Sequence, residues 1–509
     1  MSLKIKSGFV MMLLLAFSSV LDASQYFTGK NGSDANDGLS REKAFLTVQK
    51  GVDALHPGDT LTIMPGEYIE NVRRDKLGGA DKDTIIRAEI PGTAVLRGDI
   101  PLDGFKKVDG TRFIYTADIA FTGEVAVVNE LDTLKIFERM PNETELKFIP
   151  GVFFQDRAAG KIYISTSDMQ PADSHRYTAT VLATHGIYLS NTQRVIIEGL
   201  AVTGFNAIKE MPSSEHSLGS VWGIIVVKGK NCVVRNCRAW MNGQGIAFNS
   251  AAETSGDNVV ENCSAWANAT QFGSGDRGGI TLIDSRRDAV RDSISFLNGE
   301  YGINIRGGPW GTNEIYKSVM VGNLAWGNMC DYKIKTGFGY VHYADRCVGL
   351  GQWSLNGGGR SDNCLIGKWK IERTPDNIKL DEEKDLDMQK EFADPENYDF
   401  RLQATSRFMK SAPGGKDRGP FQYEKNVFYA STRGDDNADG LSVGRAWKTL
   451  SRASRELRPG DTLYIQPGVY EGDIALSLKG DDGKPVCIRG RGCDPVVIRG
   501  TVAVRESSG

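Results

Sequence analysis

Asn236-Cys-Arg-Ala-Trp-Met-Asn242 returns as Asn262-Cys-Ser-Ala-Trp-Ala-Asn268, with looser copies at Ser293-Ile-Ser-Phe-Leu-Asn298 and Asn323-Leu-Ala-Trp-Gly-Asn328. The aromatic column Trp240, Trp266, Phe296, Trp326 advances by 26, 30 and 30 residues, and the asparagine two residues on keeps the same spacing. A Gly-apolar-x-apolar strand follows the first three copies: Gly245-Ile-Ala-Phe248, Gly279-Ile-Thr-Leu282 and Gly302-Ile-Asn-Ile305. Asp331-Tyr-Lys-Ile334 follows the last, and Gly186-Ile-Tyr-Leu189 and Gly223-Ile-Ile-Val226 are earlier members. Short alternating strands at this period cannot bury an apolar face alone and must stack on their neighbours. Leucine-rich repeats would need spaced leucines and helical segments, and a propeller would need longer four-stranded blades. The remaining solution is a right-handed parallel β-helix. The asparagines are expected as a ladder at one turn, and the aromatic column as packing.

A longer duplication frames these coils. Gly32-Ser-Asp-Ala-Asn-Asp-Gly-Leu-Ser40 recurs as Gly434-Asp-Asp-Asn-Ala-Asp-Gly-Leu-Ser442, Pro57-Gly-Asp-Thr-Leu61 as Pro459-Gly-Asp-Thr-Leu463, and Pro65-Gly-Glu-Tyr68 as Pro467-Gly-Val-Tyr470, each 402 residues on. The expected organisation is one β-helix over 24–424 and the start of a second, truncated one over 425–509. Residues 102–182 read as a β-rich insertion, and residues 394–402 as the closing strand of the first unit.

The 509 residues carry 61 basic and 64 acidic side chains, a net charge of -3 that excludes a nucleic-acid partner. Lys4 and Lys6 precede the apolar run Phe9 to Val20, with Ala23 at a cleavage position. This reads as a signal peptide over 1–23, hence a secreted protein with no membrane partner after cleavage. None of the eight cysteines makes a paired zinc pattern. They are expected as buried small apolar residues, with a Cys487–Cys493 disulfide left open.

The stretch Tyr26 to Tyr68 resembles the N-terminal cap of secreted right-handed β-helix proteins of the pectin-lyase-like superfamily. There a Gly-x-Asp-x-Asn-Asp-Gly turn leads into a capping helix, here about 47–55, and then a Pro-Gly-Asp-Thr first coil. Asp34, Asn36 and Asp37 of that turn read as Asx turns rather than a calcium loop. Among catalytic families, Asp331-Tyr-Lys-Ile334 resembles the Gly-aromatic-Lys-Leu strand of family 9 polysaccharide lyases. The resemblance implies Lys333 as the base that cleaves a uronate polymer, beside a calcium ion held by aspartates of neighbouring coils. The calcium strand departs from that pattern: Glu300-Tyr-Gly-Ile-Asn304 keeps one carboxylate and one neutral oxygen. Any calcium set must draw on Glu300, Asn304, Asp276, Asp284 and Asp331.

Strand side chains alternate, so the third position of each Gly-apolar-x-apolar strand points outward. Stacking gives an outer column Tyr188, Ile225, Ala247, Thr281, Asn304, Lys333, and a second column Ser190, Val227, Asn249, Ile283, Arg306, Lys335. The face runs from apolar to cationic, and Arg306, Lys335, Asn304 and Trp310 are the expected substrate-binding residues for an acidic sugar. A lysine among other cations has a lowered pKa, which suits a general base. Two alternatives stand beside this lyase. A glycoside hydrolase would use a carboxylate pair from Asp276, Asp284, Glu300 and Asp331. A non-catalytic carbohydrate-binding or surface β-helix would leave these charges solvated.

Overall fold

The computed structural model describes residues 23–208, 221–252, 254–269, 278–306, 318–326, 328, 330–335, 343–345, 347–356, 360–362, 365–370, 378–379, 388–394, 399–403, 405–411, 417, 419, 427–466, 468–471, 486–490 and 496–499. Residues 1–22, which contain most of the expected signal peptide, lie outside it.

The repeated strands align in parallel, coil upon coil. Ile187, Ile224, Ile246, Ile280, Ile303 and Tyr332 stand in consecutive register and are all buried in one continuous core. Each aliphatic member removed from water contributes about 1.5–3 kcal/mol, available only because the next coil supplies the other wall. A second parallel stack runs through Val195–Glu198, Val233–Arg235, Val259–Glu261 and Ala289–Arg291. A third holds Ala201–Thr203, Arg238–Trp240, Ser264–Trp266 and Ile294–Phe296. Three parallel faces around one core make a β-helix.

The asparagine repeat sits where the chain turns a corner. Met241, Ala267 and Leu297, each between an aromatic residue and its asparagine, adopt the left-handed conformation, with φ of 51°, 51° and 54°. For residues with a Cβ this costs about 1–2 kcal/mol each. The ladder offsets it: Asn242, Asn268 and Asn298 each donate through Nδ2 to the Oδ1 of the next asparagine, at 3.3, 2.9 and 3.0 Å. The strand that follows must start with glycine, because a Cβ at Gly279 would overlap Ser295 Oγ and Asn298 Nδ2.

The capping helix Val48–Ala54 lies within the expected span. Thr47 caps it, and the Glu70 carboxylate accepts the Val48 and Gln49 amides at 2.9 and 3.0 Å. Asp34 accepts the Leu46 and Thr47 amides, and Asp37 the Leu39 amide, so both carboxylates hold turns. The geometry repeats 402 residues on: Asp436 accepts the Lys448 and Thr449 amides, and Val427 pairs with Thr462 as Gln25 pairs with Thr60.

The insertion is a mostly antiparallel sheet whose first and last strands, Asp99–Leu102 and Tyr177–Thr180, pair with each other. Phe137, Phe153, Ile162 and Ile164 form its own core. Phe392–Asp394 and Asp399–Leu402 pair antiparallel, where a single closing strand over 394–402 is expected. Cys232, Cys237 and Cys263 are buried free thiols, Cys347 is buried, and Cys487 is a free thiol. Cys364 and Cys493 lie outside the described residues. Among the described residues no helix is long and apolar enough to cross a membrane.

Candidate functional site

The register places Tyr188, Ile225, Ala247, Thr281, Asn304 and Lys333 in one column. Arg73 precedes Tyr188 and Ser354 follows Lys333. Ile283, Arg306 and Lys335 stand in the neighbouring column. Both columns are those read from the sequence. The description of Lys333, Lys335, Arg306 and Asp331 stops at the backbone, and Trp310 and Asp276 lie outside the described residues.

Pointing away from the core does not expose this face. Ile225 is 1% exposed, and Ala247, Thr281 and Asn304 are 0%. Trp222, Ile225, Ala247 and Ile283 form a second apolar cluster there, with Tyr188 and Val227 against it. The outward column is therefore covered from Ile225 to Asn304, because the early coils carry large apolar side chains at outward positions. Its first turn is polar: Trp222 N–H donates to His185 Nδ1 at 3.0 Å, which puts the ring proton of a neutral His185 on Nε2. His185 stacks on Tyr188, and the Arg73 guanidinium lies 4.8 Å from the Tyr188 ring centre. The histidine spacing gave no sign of this contact.

Two members of the column break the rule that buried polar groups are paired. Thr281 Oγ1 and both Asn304 side-chain polar atoms, Nδ2 and Oδ1, are buried without a hydrogen-bond partner among the described residues. They occupy adjacent rungs, about 4.8 Å apart, and the next rung is Lys333. A hydroxyl, an amide donor and an amide acceptor thus lie on the rungs next to the Lys333 position.

The carboxylates do not form one group. Glu300 precedes the strand Tyr301–Arg306, whereas Asp284 follows the strand Gly278–Ile283 with which it pairs. That register separates them by about 20 Å along the strands. Asp331 is opposite Gly302, one rung from Glu300's end. Burial pushes the half-buried Asp284 carboxyl above its usual range, with nearby Arg286 pulling it back in part. Glu300 hydrogen-bonds the Tyr301 phenol, whose pKa is raised by burial first and by Glu300 second. Among the described residues no group of three His, Cys, Asp or Glu side chains is placed to hold a metal. A calcium ion takes six to eight oxygens, and the described members of the expected set, Glu300, Asn304 and Asp284, do not converge on one.

Sequence reading also passed over a cleft of about 930 Å³ lined by Glu67, Arg97, Thr203, Trp240 and Trp266. The aromatic column packs as expected, yet Trp240 and Trp266 stay only half-buried and face this space. Their regular spacing read as core, and nothing in it signalled a partly open edge.

A family model described as a right-handed β-helix region matches residues 162–329. A Bacillus subtilis (strain 168) protein, "Uncharacterized protein YwoF", is 32% identical over 75 residues, which span 15% of this chain and 16% of that protein's length. Among solved structures, "The complex structure of XylC with xylose" aligns over 91% of this chain and 86% of that one, at 14% identity and a TM-score of 0.43. "Crystal structure of pectate lyase Pel9A" aligns over 80% and 98%, at 14% identity and a TM-score of 0.40. The stacked parallel coils and the family match agree on the fold, a right-handed parallel β-helix.

Proposed function

We propose that this is a secreted carbohydrate-active β-helix protein, a polysaccharide lyase that cleaves a uronate polymer with Lys333 as its base. The observation that carries the reading is the column Thr281–Asn304–Lys333, in which buried polar atoms without a partner among the described residues adjoin a lysine position. An orphaned buried polar atom costs about 1–3 kcal/mol, and a chain keeps such a cost where a ligand repays it. Thr281 and Asn304 supply a donor and acceptors for hydroxyl or carboxylate oxygens. The neutral Lys333 amine takes the proton from the carbon beside the uronate carboxylate. The electron pair forms a carbon–carbon double bond as the glycosidic C–O bond breaks, and the departing oxygen takes up a proton. Removing that proton requires the carboxylate charge to be neutralised, a role for Arg306 and Lys335 on the adjacent column.

The test is turnover of pectate, alginate and glycosaminoglycans, read as ultraviolet absorbance of the new conjugated double bond. Wild type should produce it and Lys333→Ala should not, at unchanged thermal stability. New reducing ends without that absorbance would instead assign a hydrolase. The specific support for that second reading is that Glu300 and Asp331 lie one rung and two residues apart. Loss of turnover in a chelator, restored by calcium, would move the neutralising charge from Arg306 and Lys335 to a metal.

A further inference from the structure

The cleft beside the aromatic column shares no lining residue with the Lys333 column. One wall is a ladder in its own right: Arg97, Thr203, Trp240, Trp266 and Phe296 stand in consecutive register. The Trp240 and Trp266 rings stack 5.0 Å apart at 3°, and Trp266 and Phe296 5.8 Å apart at 2°. Trp266 is therefore covered on both faces. On the far side of Trp240 the ladder holds Thr203, whose short side chain cannot cover an indole, and then Arg97. Two rungs, about 9.6 Å, separate Trp240 from Arg97. Thr203 on the rung between them is 3% exposed, so the open part of this wall is the half-buried Trp240 ring itself, with Arg97 and Glu67 on the same cleft lining.

The polar groups around the gap are fixed in place. Arg97 Nε donates to Asp99 Oδ1 and Nη1 to Glu67 Oε1, each at 2.9 Å. Asp99 is 1% exposed and accepts from Thr178 Oγ1 at 2.5 Å, which ties the guanidinium to the insertion. Arg97 Nη2 has no hydrogen bond among the described residues, and the Glu67 side chain is 59% exposed. A rigid donor beside an open acceptor matches two neighbouring hydroxyls of a sugar, one accepting from the guanidinium and one donating to the carboxylate. The C–H face of a pyranose suits the negative face of the indole. Charge selects the sugar: two carboxylates balance Arg97, and Asp132 pairs with Arg176 on the opposite wall at 3.0 Å. Among the described lining residues each arginine is paired with a carboxylate, which leaves no surplus positive charge to draw in a uronate.

We infer that this cleft binds a neutral polysaccharide, with one pyranose ring packed on the open part of Trp240 and hydroxyls of the same chain held by Arg97 and Glu67. The site is separate from the Lys333 column and does not depend on cleavage there. The test titrates the full chain with cellohexaose, xylohexaose, mannohexaose and, for comparison, hexagalacturonate, following tryptophan fluorescence and heat of binding. At least one neutral hexasaccharide should bind and change the fluorescence. Trp240→Ala should weaken that binding by about tenfold or more. Glu67→Gln, at an exposed position that leaves the fold intact, should weaken it by about threefold. Lys333→Ala should leave it unchanged whether or not the protein cleaves a uronate. The inference is overturned by the absence of binding to every neutral hexasaccharide, by tighter binding of hexagalacturonate, or by affinities unaltered in both Trp240→Ala and Glu67→Gln.

Discussion

Asn268 donates through its side-chain amide to Asn298 Oδ1 at 2.9 Å, and its backbone N–H donates to the same oxygen at 3.1 Å. One asparagine oxygen thus satisfies two donors of the coil before it, while its own Nδ2 bonds Asn328 Oδ1 and the Ala265 carbonyl. Asn298→Ala leaves buried donors on one side and acceptors on the other without partners. The expected loss is about 1–3 kcal/mol, read from urea unfolding. A change within about 0.5 kcal/mol would mean that water replaces the ladder at no cost.

A second ladder runs through a carboxylate. Asn258 N–H and Nδ2 donate to Asp288 Oδ1 at 2.9 and 3.0 Å, and Ser250 and Ser285 hydroxyls to Oδ2 at 2.7 and 3.1 Å. Burial pushes the Asp288 carboxyl above its usual range, and the hydrogen bonds from Asn258 and Ser250 oppose this only in part. The folded state then holds a proton that the unfolded chain releases near pH 4. Its stabilising contribution is complete below that pH and is lost as pH rises through the folded-state value. Unfolding free energies measured from about pH 4 upward should fall more steeply in wild type than in Asp288→Asn. Parallel pH profiles for the two proteins would show that Asp288 is ionised throughout.

The coil register was legible because it rests on local chemistry. Asn236 and Asn262, at φ of 55° and 51°, are residue types that tolerate the left-handed turn, and Asp292 and Gly322 occupy the same place in later coils. Glycines before the earlier strands clear space for the ladder, and the repeat spacing carried the register on to align Lys333 with Asn304. What the outward face meets was not legible. Alternation says that Ile225 and Thr281 leave the core, but only the three-dimensional packing shows that they enter a second buried layer. One carboxylate pairing was not legible for a related reason: Asp284 and Glu300 are near in sequence but at opposite strand ends in register. Trp240 was legible as a stacked ring and not as a cleft wall, since the insertion on the other side carries no repeat.

Added salt discriminates among the charges at the Lys333 face. If Arg306 and Lys335 hold an acidic polymer, Arg306→Ala and Lys335→Ala should raise KM for the uronate polymer with a smaller effect on kcat. Salt screens over about 10 Å at 0.1 M, so raising the ionic strength should reproduce the KM increase in wild type and add little in the double variant. A fall in kcat alone, with KM and salt dependence unchanged, would remove these residues from binding and leave the charge-neutralising role elsewhere.

Thr281→Val separates stability from function at the column itself. Thr281 is 0% exposed, and its hydroxyl has no partner among the described residues. Valine has nearly the same shape and the same strand preference, so the substitution removes an orphaned hydroxyl without opening a cavity. The free protein should gain about 1–3 kcal/mol in urea unfolding. If substrate oxygens are what the hydroxyl serves, kcat/KM on the uronate polymer should fall by about tenfold, the cost of roughly one hydrogen bond. Higher stability with undiminished turnover would detach Thr281 from the site and leave Asn304 alone beneath Lys333. Lower stability would show that the hydroxyl is hydrogen-bonded in solution, which removes the unpaired atoms on which the lyase reading rests.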